Sequence, residues 1–195
     1  MAGSKRMAKE ERRRQLLKTA LAIVRAAGTD ALTLGHLAEK AGVTKPIAYE
    51  HFGTRDGLLM ALCRDYDERT TERMRAALKL GGRSLDDVAA ILSAAYIDCV
   101  LSMGPEYGAL FDALSGSEEL EAFRHSLNAV YVAEYRKALA PFVTLPPKRT
   151  EALLTGILAA AATLSQEAAA RRLSRNEALN ALTKIMIGAF KGDTR

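Results

Sequence analysis

Hydrophobic positions along this chain recur with the 3.6-residue period of amphipathic helices, and runs of β-branched residues are nearly absent. Glycine, proline and serine interrupt the periodic stretches where helices commonly begin or end. Leucine and alanine dominate the apolar residues, which also favours helices. The pattern predicts an all-α fold of about nine helices, at 10–27, 33–41, 44–52, 54–79, 84–102, 106–115, 117–140, 148–172 and 175–191.

Two short predicted helices lie close together between residues 32 and 56, joined by a glycine turn. Ala38 is a small residue where two helices must cross closely, and Gly42 follows four positions later, where the chain must reverse. Thr44 is expected to cap the second helix through its hydroxyl, and Pro46 suits its first turn. This spacing is typical of a helix-turn-helix.

The second of these helices has an apolar inner face formed by Ala48 and Phe52. Its outward side chains suit a DNA major groove. We expect the leading turn to reach base edges through Lys45, Pro46 and Ile47, although Ile47 could instead pack against the first helix. Hydroxyl and imidazole groups are better suited to phosphate, which assigns that role to Thr44, Tyr49 and His51, and by position at helix starts to Thr33 and Arg55.

The same region carries a string of motifs with family character: Thr33-Leu34, Leu37-Ala38, Ala41-Gly42-Val43-Thr44, Tyr49-Glu50-His51-Phe52 and Arg55-Asp56-Gly57-Leu58-Leu59. Over about residues 11–62 this string resembles the N-terminal domain of the tetracycline-repressor (TetR) family of bacterial transcriptional regulators. The resemblance implies a helix-turn-helix DNA-binding domain at 1–55 with a basic arm, and a helical domain at 56–195 for effector binding and dimerisation. It also matches Tyr49, His51 and Arg55 to the family's phosphate-contacting positions, with Arg55 where most members carry Lys.

Charge is distributed unevenly along the chain. Residues 1–55 hold eleven Lys or Arg against five Asp or Glu, a balance of +6, whereas the remaining residues hold seventeen against eighteen, or −1. A basic surface confined to one region is the electrostatic footprint of phosphate binding. The chain therefore carries its positive charge where the helix-turn-helix lies.

Several function classes receive no support from the sequence. Cys63 and Cys99 form no metal-ligand or disulfide pattern, which suits a reducing cytoplasm. The longest apolar run, 156–164, is short for a membrane span, so no membrane partner is expected. HExxH, GxSxG and P-loop motifs are missing, so a small helical enzyme is a remote alternative, and no catalytic residue, metal site or cofactor is expected.

The second half combines aromatic, methionine and leucine side chains on three consecutive predicted helices. They either form core or line a cavity for a small hydrophobic, neutral or weakly polar effector. The candidate ligand contacts are Tyr96, Met103, Phe111, Phe123, Leu127 and Tyr131. Asp98, among apolar neighbours, is either exposed or a polar anchor for the ligand, whereas His36 and His125 are expected to be structural or exposed.

The last two long helices are apolar on more than one face and rich in small residues. Such helices need two packing partners, which favours a four-helix interface between two subunits over burial within one monomer. The predicted interface residues are Leu153, Gly156, Ile157, Ala160, Leu164, Leu182, Ile185 and Ala189.

Together these features predict a cytoplasmic, homodimeric and ligand-responsive repressor of a pseudo-palindromic operator in double-stranded DNA. A DNA-binding protein of the same type without a small-molecule effector, its cavity filled by aromatic side chains, is the main alternative.

Overall fold

The computed structural model describes residues 8–103 and 106–191, without the side chains of Met103, Glu106, Tyr107 and Phe111. In that part of the chain all nine regular elements are α-helices, which confirms the predicted fold class. They are α1 (Lys9–Ala27), α2 (Leu34–Ala41), α3 (Lys45–Phe52), α4 (Arg55–Gly81), α5 (Leu85–Met103), α6 (Glu106–Ala113), α7 (Glu118–Leu139), α8 (Pro147–Ala169) and α9 (Arg175–Phe190).

Side-chain caps fix where several of these helices begin. The hydroxyl oxygens of Thr33, Thr54 and Ser117 each accept a hydrogen bond from a backbone N–H three residues later. At α9 the Ser174 side chain accepts from the Glu177 N–H, and the Glu177 carboxylate accepts from the Ser174 N–H, forming a capping box. Each cap satisfies donors that would otherwise lack an intrahelical partner.

A first apolar core joins the first three helices to the start of α4. Its fully buried members include Leu16, Leu37 and Leu59. The same core also contains Leu120 and Phe123 of α7, together with residues of the α6 region, Leu110 and Leu114. The N-terminal helices thus share a core with the corner formed by α6 and α7, which packs against α4.

A second apolar core lies among the later helices. It contains Met74 from the second half of α4, Leu92 and Ile97 of α5, and Tyr135 of α7. Residues of α8 and α9 complete it, including Leu154, Ile157, Leu158, Ala178, Leu182 and Met186. Helices α4 and α7 each contribute buried residues to both cores, so these two helices connect them.

Helix α8 (Pro147–Ala169) extends beyond the apolar run 156–164 in the sequence. It spans 23 residues and contains an 18-residue stretch with a mean hydropathy of 1.3, enough by length and composition alone to cross a membrane, and a third of that stretch is buried. The helix packs against α5, α7 and α9. Its outward positions Ala152, Gly156, Ala159 and Thr163 are exposed and small. This pattern also suits a helix that packs against neighbours on more than one side.

Gly57, in the first turn of α4, gives the first testable prediction. A Cβ at this position would overlap the backbone carbonyl oxygen of Phe52, at the end of α3. Because backbone cannot yield as a flexible side chain can, Gly57→Ala should displace α3 and lower the free energy of unfolding by about 1–3 kcal/mol. Urea unfolding followed by circular dichroism measures the change.

Gly35→Ala is the matched control, since a Cβ there would meet the Lys45 Cε at 3.6 Å, an ordinary contact. Alanine has the higher helix propensity, so this variant should be unchanged or more stable by up to about 1 kcal/mol. Equal stability of the two variants would contradict the close approach of α3 and α4.

Asp67, midway along α4, gives a pH-dependent prediction. Its carboxylate accepts a hydrogen bond from the Tyr131 hydroxyl at 2.9 Å. Burial nevertheless raises the pKa of Asp67 from 3.8 to about 6, since desolvation outweighs that hydrogen bond. The folded state then binds the proton more tightly than the unfolded state, so stability contributed by the protonated carboxyl is lost as the pH rises from about 4 to about 6.

Asp67→Asn removes this titration. The melting temperature of the variant, compared with that of the unmodified chain, should therefore rise between pH 4 and pH 7. A difference that stays constant over this range would show that Asp67 titrates at its ordinary pKa.

Candidate nucleic-acid interface

The turn between α2 and α3 has the geometry that the Ala38–Gly42 spacing predicts. Gly42 adopts the left-handed conformation, with φ 66° and ψ 35°. Its N–H donates to the Glu39 carbonyl at 3.2 Å, and the Val43 N–H donates to the Ala38 carbonyl at 3.0 Å. This pair of bonds is a Schellman motif, which ends α2 and redirects the chain into α3.

Helix α3 presents one face to solvent and the other to the first core. Ala48 and Phe52 are buried, as predicted. Lys45, Pro46 and Tyr49 are exposed, and Tyr49 has 54% of its surface accessible, an unusual exposure for a large aromatic side chain. The exposed tyrosine presents both a ring and a hydroxyl that a partner can contact.

Two details of α3 differ from the sequence prediction. Thr44 is the N-cap residue, but its hydroxyl makes no capping hydrogen bond, so the predicted hydroxyl cap is wrong; its carbonyl accepts from the Ile47 N–H instead. Ile47 is only partly exposed, because it packs against the first core, as its alternative interpretation proposed. Thr44 is exposed, next to Lys45 in the chain.

Arg13 of α1 holds the C-terminal end of α3, a role that the sequence analysis missed. Its guanidinium donates to the His51 carbonyl at 3.1 Å and lies 5.2 Å from the centre of the Phe52 ring. The partial negative charge at the C-terminal end of a helix stabilises a cation at this position. Only the packing of α1 across α3 identifies this contact, since the two residues are far apart in sequence.

The imidazole of His51 is partly buried beside this contact. Burial lowers the pKa of His51, the cations of Lys9, Arg13 and Arg12 lower it further, and only Glu50 opposes them. The ring is therefore neutral near pH 7 and can donate one N–H. A neutral donor contacts a phosphate oxygen without adding charge.

Arg55 uses its guanidinium within the domain. It donates to the Leu32 carbonyl through Nε at 3.1 Å and to the Thr29 carbonyl at 2.9 Å, so it fastens the start of α4 to the loop before α2. Thr33, at the other end of that loop, accepts from the His36 N–H at 3.1 Å, and the His36 ring bonds to the Ala31 carbonyl at 2.9 Å. His36 is therefore structural, as expected.

The predicted ligand residues do not surround one cavity in the part of the chain that the structure describes. Phe123 and Leu127 belong with the first core. Tyr96 and Tyr131 belong with the second, where their ring centres lie 5.9 Å apart. Met103 and Phe111 have side chains outside the described set. An open groove of about 500 Å³ between α7 and α8 includes only Tyr96 of the predicted residues.

Asp98 is not buried as a polar anchor. Its carboxylate is exposed and forms a two-point ion pair with Arg175, at 2.6 and 2.7 Å. This pair ties α5 to the start of α9. His125 is exposed, as expected.

The predicted interface residues of α8 and α9 divide into two groups. Ile157 and Leu182 are 2% and 0% exposed within the monomer, so placing them in an interface was wrong: the most apolar stripe of each helix faces its own domain. Ile185 is 43% exposed. The other predicted residues retain some or full exposure: Leu153, Gly156, Ala160, Leu164 and Ala189.

Comparison with known proteins identifies the N-terminal region. Residues 16–62 match the family model described as bacterial regulatory proteins, tetR family. The transcriptional regulator BetI of Rhizobium meliloti is 29% identical over 85 residues, which cover 44% of this chain and 42% of BetI. The transcriptional activator FasR of Mycolicibacterium smegmatis is 32% identical over 74 residues, covering 38% of this chain and 34% of FasR. The matches thus span well under half of these curated relatives.

The fold extends the likeness over nearly the whole chain. A crystal structure of a tetR-family transcriptional regulator from Streptomyces coelicolor aligns with a TM-score of 0.74 at 23% identity, covering 94% of this chain and 82% of that one. Regulators of this family are not enzymes, in agreement with the absence of catalytic motifs in the sequence. Residues 16–62 thus match the tetR family of bacterial regulatory proteins, and the chain as a whole shares the all-helical fold of the aligned regulator.

Proposed function

We propose that this chain is a cytoplasmic transcriptional repressor that binds operator DNA as a homodimer and is released by a small-molecule effector. The exposed face of α3, with Lys45, Pro46 and Tyr49 on a helix-turn-helix, is the observation that carries the proposal. The excess of positive charge in residues 1–55 supports it, since phosphate attraction supplies much of the affinity of DNA-binding proteins. Both cysteines are free, which suits a reducing compartment.

The exposed residues of α3 take two roles in this proposal. Lys45 donates to guanine acceptors and Pro46 packs on a thymine methyl, with the exposed edge of Ile47 beside them. Tyr49, Thr44 and His51 contact phosphate, together with Thr33 at the start of α2. Arg55 positions the interface indirectly, because its hydrogen bonds hold the loop that leads into α2.

The homodimer is proposed to form through the outer faces of α8 and α9. Exposed small residues on α8, such as Ala152 and Gly156, permit close helix approach, and Ile185 on α9 offers an exposed aliphatic side chain. A two-fold axis would bring two α3 helices into successive major grooves, about 34 Å apart.

The α6–α7 corner supports a ligand response, because it belongs to the same core as the DNA-binding helices. Ser117, the cap of α7, also donates to the Asp56 carboxylate in the first turn of α4 at 3.0 Å. A ligand that favours one position of α7 would therefore alter the spacing of the two α3 helices.

A regulator without an effector is the second candidate. The Tyr96, Tyr131 and Tyr135 rings pack against one another in the second core, with centre distances of 5.9 and 6.4 Å. Space that a ligand would occupy is there filled by side chains. An effector site must then lie elsewhere in the domain, or the protein works without one.

The two roles of α3 residues give a prediction about DNA binding. Lys45→Ala should weaken binding to operator by about 1–3 kcal/mol and change binding to random duplex little, since one base contact is lost. Tyr49→Ala should weaken both alike, because it removes a contact to phosphate that does not depend on sequence. Gel-shift titrations at fixed salt measure both.

Lys79→Ala, at the far end of α4, is the charge-matched control and should bind both duplexes normally. If Lys45→Ala lost affinity equally on both duplexes, the base-reading role would be refuted. A reporter gene under the operator gives the sign of regulation, with repression expected and ligand-independent activation contradicting it.

The dimer face gives a separate prediction. Ile185→Glu places an unpaired charge in the proposed contact and should yield monomers with native helix content. Gly156→Arg should do the same by blocking close approach. Both variants should bind a full operator poorly, because a monomer occupies one half-site and loses the binding free energy of the second. Sedimentation velocity measures the oligomeric state.

Leu80→Glu is the control for adding a charge at an exposed aliphatic residue, since Leu80 is 83% exposed at the end of α4. It should remain dimeric. Dimers of unchanged strength for both α8 and α9 variants would place the interface elsewhere.

A further inference from the structure

The open groove between α7 and α8 is built as a binding site with two different ends. Along α7 it runs from Arg124 to Arg136, twelve positions or roughly 18 Å of helix. Its volume of about 500 Å³ lies within the range of small-molecule sites. It is separate from the exposed aliphatic side chain of Ile185 on α9.

The middle of the groove is apolar. Tyr96 of α5, Val132 of α7 and Leu158 of α8 line it, and the remaining side chains between the two ends are alanines. Small alanine side chains leave the space open, while the larger three supply surface for an apolar group. This part of the groove fits a hydrocarbon chain or ring.

One end of the groove is lined by hydrogen-bond donors, with no carboxylate among the described residues that line it there. Arg124, His125 and Asn128 lie there within two turns of α7. Arg124 donates one N–H to the Glu121 carboxylate at 3.2 Å, but its Nε is buried and has no hydrogen-bond partner among the described residues. A buried donor without an acceptor is costly, and an anionic oxygen would satisfy it.

The other end of the groove includes a carboxylate in its lining. Helices α7 and α8 are joined by the short connection 140–146, so the end of α7 lies beside the start of α8. Arg136 accordingly shares its end of the groove with Glu151 and Thr155 of α8. Glu151 lines the groove at this end and repels an anion, whereas Glu121, the partner of Arg124, does not line the groove, so an anion is favoured at the Arg124 end.

We propose that this groove binds an amphiphilic carboxylate, with its carboxylate at Arg124, His125 and Asn128 and its apolar part along Tyr96, Val132 and Leu158. The proposal rests on the proposed ligand-responsive function and names the class of effector. It replaces the neutral or weakly polar ligand expected from the sequence, because one end of the groove is lined by the donors of Arg124, His125 and Asn128 without a carboxylate among the described lining residues there. Arg124 follows Phe123 directly, so the bound headgroup lies next to the core that holds the DNA-binding helices.

Isothermal titration calorimetry of the full chain with sodium decanoate, below its micelle concentration and without DNA, tests the proposal. Decanoate should bind with one site per chain. Decan-1-ol has the same chain without the charge and should bind about tenfold or more weakly, since a charge-assisted contact is lost. Decyltrimethylammonium, with the opposite charge, should bind more weakly still.

Variants at the two ends distinguish the orientation. Arg124→Gln should weaken decanoate binding about tenfold or more and leave decanol binding unchanged. Arg136→Gln, the matched change at the other end, should alter decanoate binding less than about threefold, since it lies roughly 18 Å of helix from the proposed carboxylate site. Ala129→Leu fills the middle of the groove and should weaken both ligands. Thermal melts check that each variant is folded.

Equal binding of decanoate and decanol, or a larger loss for Arg136→Gln than for Arg124→Gln, would overturn the proposal. Occupation of the groove by a second copy of the chain would also overturn the proposal. It would be detected as decanoate binding to monomers but not to dimers. Operator release by decanoate is measured separately. Failure to bind any operator would refute the proposed function, while the titration still decides the groove.

Discussion

The apolar contact between the α6–α7 corner and the N-terminal helices is the constraint on which the rest of the structure depends. Leu120 and Phe123 of α7 are buried in the same core as Leu16, Leu37 and Leu59. A domain of about 55 residues is marginally stable on its own, and these residues of the α6–α7 corner extend its core. They also fix the direction in which α3 points relative to α8 and α9.

Polar contacts also hold α7 against α4 at this junction. Ser117 caps α7 and donates to Asp56 of α4, so one hydroxyl links the starts of two helices. Arg64 of α4 lies over the Phe123 ring, 5.0 Å from its centre. A shift of α7 must therefore move α4 or break these contacts. Because packed cores favour discrete arrangements, such a shift is suited to switching between two states.

Much of the fold could be predicted because its signals are local. The caps at Thr33, Thr54 and Ser174 and the turn at Gly42 act within a few residues, so the helix boundaries were predicted to within a few positions. The inner face of α3 was likewise readable from the four-residue spacing of Ala48 and Phe52.

The remaining features depend on contacts between distant segments. Arg55 was assigned to phosphate by its position, yet its guanidinium bonds to carbonyls of the loop before α2. Ile157 looked available for a partner because α8 is apolar on several sides, and only packing against neighbouring helices shows which side is inside. The groove beside Arg124 combines three helices, and no spacing along the chain indicates it.

Native-state hydrogen exchange tests the central claim, that the DNA-binding helices and the α6–α7 corner are one cooperative unit. Amides in 58–63 and 110–123 should open with the same free energy, and Phe123→Ala should lower protection in both segments equally. Protection lost in 110–123 alone, with 58–63 unchanged, would show that the N-terminal domain is stable independently and would contradict the account.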